Sequence, residues 1–304
     1  MKNKPKVAVL LASYNGEKWI EKQIDSIFDQ KQVDISLFIR DDGSQDNTIS
    51  IINRKKKKFK IKLFRNLKND NRSSAINFLN IVLKIDTKNY DFFSFADQDD
   101  TWDNFKLKRA INILDEYGCD GYSSNLKILN KKKLILLNKS RIQKKYDFIF
   151  EGVAGCTIVL KKNIFHEFKK RLKKLSLKNI KKIWMHDWFI YFFSRSNDFK
   201  WIIDSKSYIN YRQHNNNAIG ANLGIGITKK KLKGIFFRIN LLRSGHYKKQ
   251  IITMAQFSNF ESTIIKRLKN LTIINRIFLL FDIFHYRRSL RDCILMIILL
   301  FVIK

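Results

Sequence analysis

Cysteine and acidic charge are both scarce in this sequence, and each shortage sets a limit. The cysteines are Cys119, Cys156 and Cys293, odd in number, far apart and without a CxxC pair. A disulfide framework is excluded, a structural zinc site has no support, and a reducing compartment fits. Asp and Glu total 27 against 60 Lys and Arg, a formal net charge of +33 and an isoelectric point near 10.1. That imbalance predicts attraction to an anionic partner: nucleic acid, a membrane surface or a phosphate-bearing substrate. Long apolar runs are missing too. The longest uncharged one, residues 293–303, has eleven residues, short of the roughly 18–20 a bilayer-spanning helix needs. Lys2, Lys4 and Lys6 precede an apolar run of only six residues, 7–12, which reads as a first strand and not as a signal peptide.

What is present suffices for a large core. The 304 residues are 45% hydrophobic and 13% aromatic, so a wholly disordered chain is excluded. That length suits one large domain, or a catalytic domain with an appendage. The acids are concentrated at the front: residues 205–304 hold 18 Lys and Arg but only Glu261, Asp282 and Asp292.

The front of the chain alternates strand-like and helix-like segments. Apolar runs at residues 7–12, 36–40, 60–64 and 92–96 are separated by helical spacing at 17–29, after Asp46-Asn47-Thr48, and at 73–85. A repeated β-α-β pattern predicts an α/β fold with a mostly parallel sheet, whose ligand crevice lies beyond the carboxyl ends of the strands. Residues 152–160 read as a glycine-opened strand, and 207–211 as a last short one. Beyond about 228 the spacing turns helical, basic and apolar, at 229–233, 257–265, 273–284 and 293–303. Lys55–Lys58 reads as a solvated helix end. The expected division is 1–227 and 228–304.

Tyr14 and two acidic groups fall where the crevice is expected. Asp97-Gln98-Asp99-Asp100 packs three carboxylates into four residues after an apolar strand. Unpaired, they raise each other's pKa, and a hard cation such as Mg²⁺ or Mn²⁺ relieves the conflict. An Asp-rich helix start is the alternative. Asp41-Asp42-Gly43-Ser44 can offer a carboxylate to a base or ribose, or can be a plain Asp-Gly turn with Asp46 capping the next helix. Asp187 stands among Trp184, His186 and Trp188, a setting that raises a carboxylate pKa and stacks on a sugar ring, or it caps a helix over 188–196. His214, beside Arg212, reads as part of a phosphate-facing loop or as an ordinary loop histidine.

At these motifs the chain resembles the family 2 glycosyltransferases of the GT-A fold. Ala12-Ser13-Tyr14-Asn15-Gly16, Asp41 to Thr48 and Asp97 to Trp102 carry the likeness. Met185-His186-Asp187-Trp188 and Tyr211-Arg212-Gln213-His214-Asn215-Asn216-Asn217 are similar to its rhamnosyltransferase-like branch, which builds cell-surface polysaccharides. The likeness spans about residues 6–222; the last 80 residues match no motif of the family.

The resemblance implies that Ser13, Tyr14, Asp41, Asp97 and Arg212 bind the donor nucleotide, with Asp41 reading a pyrimidine. It implies Asp99 and His214 as ligands of a divalent metal, Asp187 as general base, and Trp102, Trp184 and Trp188 as stacking partners for sugar. Asp99 and Asp100 remain alternatives as the metal ligand. The chemistry suits those roles. A metal ion neutralises the departing diphosphate, and one carboxylate that deprotonates the acceptor hydroxyl gives direct displacement with inversion. The implied partners are a nucleotide-diphosphate sugar, carrying rhamnose or another hexose, and a lipid-linked or oligosaccharide acceptor.

Two other classes fit less well. A nucleic-acid-binding protein should show a recognisable module, and none is visible. A sugar nucleotidyltransferase wants a glycine- and base-rich loop after the first strand, yet residues 13–18 hold one Gly and one Lys. In the tail, eight basic residues of 229–249 are interleaved with Ile235, Phe236, Phe237, Leu241 and Leu242, and Arg287, Arg288 and Arg291 lie between apolar stretches. This is the composition of helices on an anionic leaflet. Packing on the catalytic domain or a partner subunit is the alternative. The resulting expectation is a cytoplasmic protein, peripheral on the inner face of the plasma membrane.

Overall fold

Residues 7–12 show no polar alternation because both faces of their strand are covered. In the computed structural model, which describes residues 3–66, 73–130, 133–212 and 245–302, they form the centre of β1 (Lys6–Ser13). Val7, Val9 and Leu11 enter one buried cluster, while Ala8 and Leu10 enter another. The first cluster is roofed by α1 (Ile20–Phe28), α2 (Thr48–Lys56) and α4 (Lys106–Glu116). The second is roofed by α3 (Ser74–Lys84), α5 (Lys162–Leu172) and α7 (His186–Ser196). A further turn, α6 (Leu177–Ile180), precedes α7. The fold is α/β, as expected.

The other sheet strands are β2 (Asp34–Asp41), β3 (Ile61–Arg65), β4 (Phe92–Asp97), β6 (Gly121–Ser124), β9 (Val159–Lys161) and β10 (Trp201–Asp204). Their order is β10-β6-β9-β4-β1-β2-β3. All neighbours are parallel except β9, which runs antiparallel to β4 and β6. The order reverses between β1 and β4, so a crevice opens there beyond the strand ends. Register fixes what meets at it: Ser13 is opposite Asp41, and Ala12 is opposite Asp97. A smaller sheet joins β5 (Thr101–Trp102), β11 (Ile209–Tyr211), β7 (Leu126–Asn130) and β8 (Lys133–Leu137) in the order β5-β11-β7-β8. Pairing of Asn210 with Thr101 draws the chain after β11 towards the Asp97–Asp100 loop.

Two expected elements are corrected. Of the strand expected over 152–160, only Val159–Lys161 forms, after a 3-10 turn at Gly155–Thr157. Its glycines serve close approach instead: a Cβ on Gly155 would stand 3.2 Å from Cβ of Asp187. Nor is 257–265 one helix. α8 (His246–Phe257) ends, Asn259 turns with a φ of 51°, and the Ser262 hydroxyl caps α9 (Thr263–Lys269). The chain then forms α10 (Ile273–Phe281), the turn α11 (Ile283–Tyr286) and α12 (Leu290–Val302). Residues 229–233 and the basic stretch up to 243 lie outside the described residues.

These last helices share a core with the sheet. Ile251, Met254, Ile264, Leu268, Leu279, Tyr286, Met296 and Leu300 belong to the same cluster as Leu10 and Phe95. Arg287 and Arg288, expected on a lipid surface, are buried in the protein. Arg288 Nε donates to Asp147 Oδ2 at 2.6 Å, and Arg287 Nη1 donates to the Phe150 carbonyl at 3.0 Å. Asp147 is fully buried and also accepts from the Tyr191 hydroxyl. An ion pair at such depth persists because leaving either charge alone is far costlier. Arg288→Ala should therefore lower the unfolding free energy by about 3–5 kcal/mol, measured from the urea midpoint. A loss under about 1 kcal/mol would mean that the tail is only loosely attached.

Candidate active site

Three loops at the strand ends hold one another in place. After β1, Tyr14 donates its backbone N–H to Gln98 Oε1 and accepts from Gln98 Nε2, both at 2.9 Å. Gly16 permits this contact, since a Cβ there would stand 2.3 Å from Gln98 Oε1. Asp46 accepts from the Glu17 and Thr48 amides, which ties the loop after β2 to the loop after β1. Tyr14 is 38% exposed at the crevice mouth, whereas Ser13 is buried.

The Asp41 carboxylate accepts from the Ser13 and Ser44 hydroxyls and from the Gly43 and Ser44 amides. About four lone-pair positions are available on a carboxylate, and all are taken. The expected role in reading a base is thereby corrected: Asp41 shapes the turn, and the Ser13 hydroxyl is spent on it. Asp42 is likewise held, by Arg40 Nη1 at 3.1 Å and Asn66 Nδ2 at 2.7 Å.

The remaining carboxylates crowd together. Burial, then Asp99, then Asp187 push the Asp97 carboxyl up to about 8. Burial, then Asp97 and Asp99, drive Asp100 well above the usual range. Burial lifts Asp187 to about 6, against the amides of Trp188 and Gly155, which favour its charged form. Thus α7, 90 residues further along the chain, delivers Asp187 into the field of Asp97. Asp187 lies in the first turn of α7 and not at its cap, which is Met185.

Asp100 Oδ1 accepts from the Arg212 amide at 3.3 Å, joining the smaller sheet to the cluster. Its buried Oδ2 has no conventional hydrogen bond, and the Cys156 thiol, a weak donor, lies against the carboxyl. Ligand atoms of Asp97, Asp100 and Cys156 lie within 4.8 Å of one another. Burial, then Asp100 and Asp97, push the thiol up so far that it stays protonated, a poor ligand for a hard cation. The carboxylate oxygens do fit Mg²⁺ or Mn²⁺. Asp97 and Asp100 bring their oxygens together in that group, which among the described residues does not include Asp99. His214 lies outside the described residues.

The tryptophans divide. Trp188 is core: its indole N–H donates to the Phe148 carbonyl at 2.8 Å and its ring packs on Tyr247. Trp102 is buried, with Lys106 Nζ 3.4 Å from its ring centroid. Neither offers a face to a sugar, which corrects that expectation. Trp184 is partly buried, and its indole nitrogen has no hydrogen-bond partner.

Sequence reasoning missed the layer beneath the site. Lys106 is buried, donates to the Ser94 hydroxyl at 2.9 Å, and is pushed down to about 7 by burial. Its signal was a lysine on the apolar stripe of α4, beside Leu107, Ala110 and Ile111. Tyr211, whose hydroxyl is raised first by burial and then by Asp97, is a second such residue. His186 stacks on Phe78 with centroids 4.0 Å apart, and burial lowers it to about 3, so its ring is neutral.

The family described as Glycosyl transferase family 2 matches residues 8–193. The chain is 36% identical over 298 residues to the dTDP-rhamnosyl transferase RfbG of Shigella flexneri, covering 95% of this chain and 98% of that one. It is 26% identical over 169 residues to an Escherichia coli protein, UDP-Glc:alpha-D-GlcNAc-diphosphoundecaprenol beta-1,3-glucosyltransferase WfgD, covering 53% and 62% of the two chains. Among solved structures, S. aureus TarS 1-349 in complex with UDP superposes with a TM-score of 0.58 at 15% identity. It covers 86% of this chain and 69% of that one, a likeness of fold.

The raised Asp187 has a measurable consequence. A carboxylate that removes a proton must be ionised, so activity grows as pH rises through its pKa. The kcat/KM profile should show an acidic limb with an apparent pKa near 6. A limb at the ordinary aspartate value, near 4, would show that Asp187 is not the group titrating.

Proposed function

The chain belongs to glycosyl transferase family 2, and from that premise we propose that it transfers a 6-deoxyhexose of the rhamnose type from a nucleoside-diphosphate donor. The acceptor is a hydroxyl of a growing surface glycan, lipid-linked or oligosaccharide, and the anomeric centre is inverted. The likeness to a dTDP-rhamnosyl transferase along nearly the whole chain supports the donor. The diphosphoundecaprenol in the second relative's name supports the acceptor. The observation that carries the mechanism is the approach of Asp187 to Asp97, close enough for the one charge to raise the other's pKa.

Tyr14 and the loop braced by Gln98 would receive the nucleotide, and the basic Arg212 segment its diphosphate. Asp97, with Asp99 or Asp100, would hold a divalent cation, which would supply neutralising charge for the leaving group. Asp187 accepts the proton of the acceptor hydroxyl as that oxygen bonds to the anomeric carbon and the carbon–phosphate-oxygen bond breaks. With a pKa near 6, Asp187 is ionised at neutral pH and is still a stronger base than a surface aspartate. Neutral His186, covered by Phe78, keeps the neighbouring position dry without adding charge. Trp184, which unlike Trp102 and Trp188 is only partly buried, would meet the acceptor. Such a reaction would place the protein at the inner face of the cytoplasmic membrane, where nucleotide sugars meet lipid-linked glycans.

A panel of nucleotide sugars with released nucleoside diphosphate as readout tests the reading, dTDP-rhamnose being the expected donor. Asp187→Asn should lower kcat by about 10²–10⁴ with donor affinity nearly unchanged, and the product should have the opposite anomeric configuration by NMR. EDTA should abolish turnover, and Asp99→Asn should weaken donor binding. Full turnover in EDTA would remove the cation from the mechanism, and retention of configuration would remove the single-base displacement.

A further inference from the structure

The tail helices bury one side and leave another uncovered. On α12, Cys293, Met296 and Leu300 enter the core, while Leu290, Ile294, Ile297 and Phe301 are exposed. On the neighbouring α10, Leu279 is buried, while Ile273, Ile274, Ile277, Phe278 and Phe281 are exposed, and Phe284 extends the row. These ten large apolar side chains are each 42–77% exposed. Arg276 Nη1 donates to the Leu300 carbonyl and clips α10 to α12. So many exposed large apolar side chains on adjoining helices mark a surface for association, since soluble monomers rarely leave extended apolar patches uncovered.

We propose that α10, α11 and α12 form a membrane-inserting ridge, whose uncovered apolar side chains enter the acyl boundary of an anionic bilayer while the opposite side stays in the protein core. Charge selects this occupant. Lys266 and Lys269 are exposed beside the ridge. An anionic leaflet complements that surface, whereas a second copy would bring another +33 chain against it. Geometry selects the mode. No helix among the described residues is long and apolar enough to cross a membrane. α12 has 13 residues, about 20 Å at 1.5 Å per residue, so it lies in the interface and does not span.

Attachment of this kind differs from the electrostatic one expected from composition. Three arginines at or beside the ridge are engaged within the protein: Arg267 lies over the Phe278 ring and beside Asp282, and Arg287 and Arg288 bind the segment at 147–151. Binding therefore rests on apolar insertion and survives high salt. Because the same arginines hold the segment that leads to Gly155 and Asp187, the ridge sets the height of the candidate active site above the bilayer.

The test uses the full chain with vesicles of phosphatidylcholine, alone or with 30% phosphatidylglycerol. The protein should sediment with the anionic vesicles, and more than half should remain bound in 1 M NaCl. Phe281→Ser and Phe301→Ser should each lower the partition coefficient about tenfold, leaving the thermal melting curve unchanged because both side chains are already exposed. Release of all protein by salt, equal binding by the variants, or a salt-stable dimer that those variants split would each overturn the proposal. Sedimentation reads no catalysis, so its failure is separate from any failure of the glycosyl-transfer reading.

Discussion

The structure is organised around the mutual repulsion of Asp97, Asp99, Asp100 and Asp187. A chain with more than two basic residues for every acidic one places four carboxylates in one neighbourhood, partly or wholly out of water. Burial and like charge both oppose ionisation of Asp97 and Asp100, and burial opposes that of Asp187. The surroundings answer each carboxylate differently. The Arg212 amide binds Asp100, buried Lys106 lies within its field, and the helix-start and Gly155 amides favour the charged form of Asp187. A site left this short of positive charge is suited to a cation and to a donor that brings one with it.

That same need explains the architecture. Parallel strands β1, β2 and β4 end together, so the loops that follow them meet without any long excursion of the chain. Asp187 cannot arrive that way. It comes on α7, a helix buried almost all round, and its position depends on the tail helices packed behind it. Trp188 illustrates the link: one residue from the candidate base, it packs against Tyr247 of α8 and donates to Phe148. The C-terminal region thus supports α7 from behind and presents its own apolar side outward.

Several residues changed meaning between pattern and packing. Asp41 sits in a motif suited to a base, yet its lone pairs are consumed by its own turn, and the motif's work is to shape the loop. Trp102 and Trp188 carry the composition of a sugar platform but are core, because an aromatic beside a motif is still drawn inward by the area it buries. Gln98, between the aspartates of its motif, is the brace that joins the first and fourth strand loops.

The sequence by itself determined the alternation of strands and helices and the acidic groups at the strand ends, with the family that these imply. Those features are local: hydrophobic period and a motif after a strand place a residue at the crevice whenever the sheet is parallel. Only the tertiary structure decided that Asp187 approaches Asp97 and that Lys106 lies beneath the site, since such meetings depend on register and packing between distant segments. The tail shows the reason most plainly. α12 is apolar on both the buried and the exposed sides, so its periodicity carries no mark of which side faces the core. Packing against α10 and α11 in the buried cluster assigns one side to the protein and leaves the other uncovered.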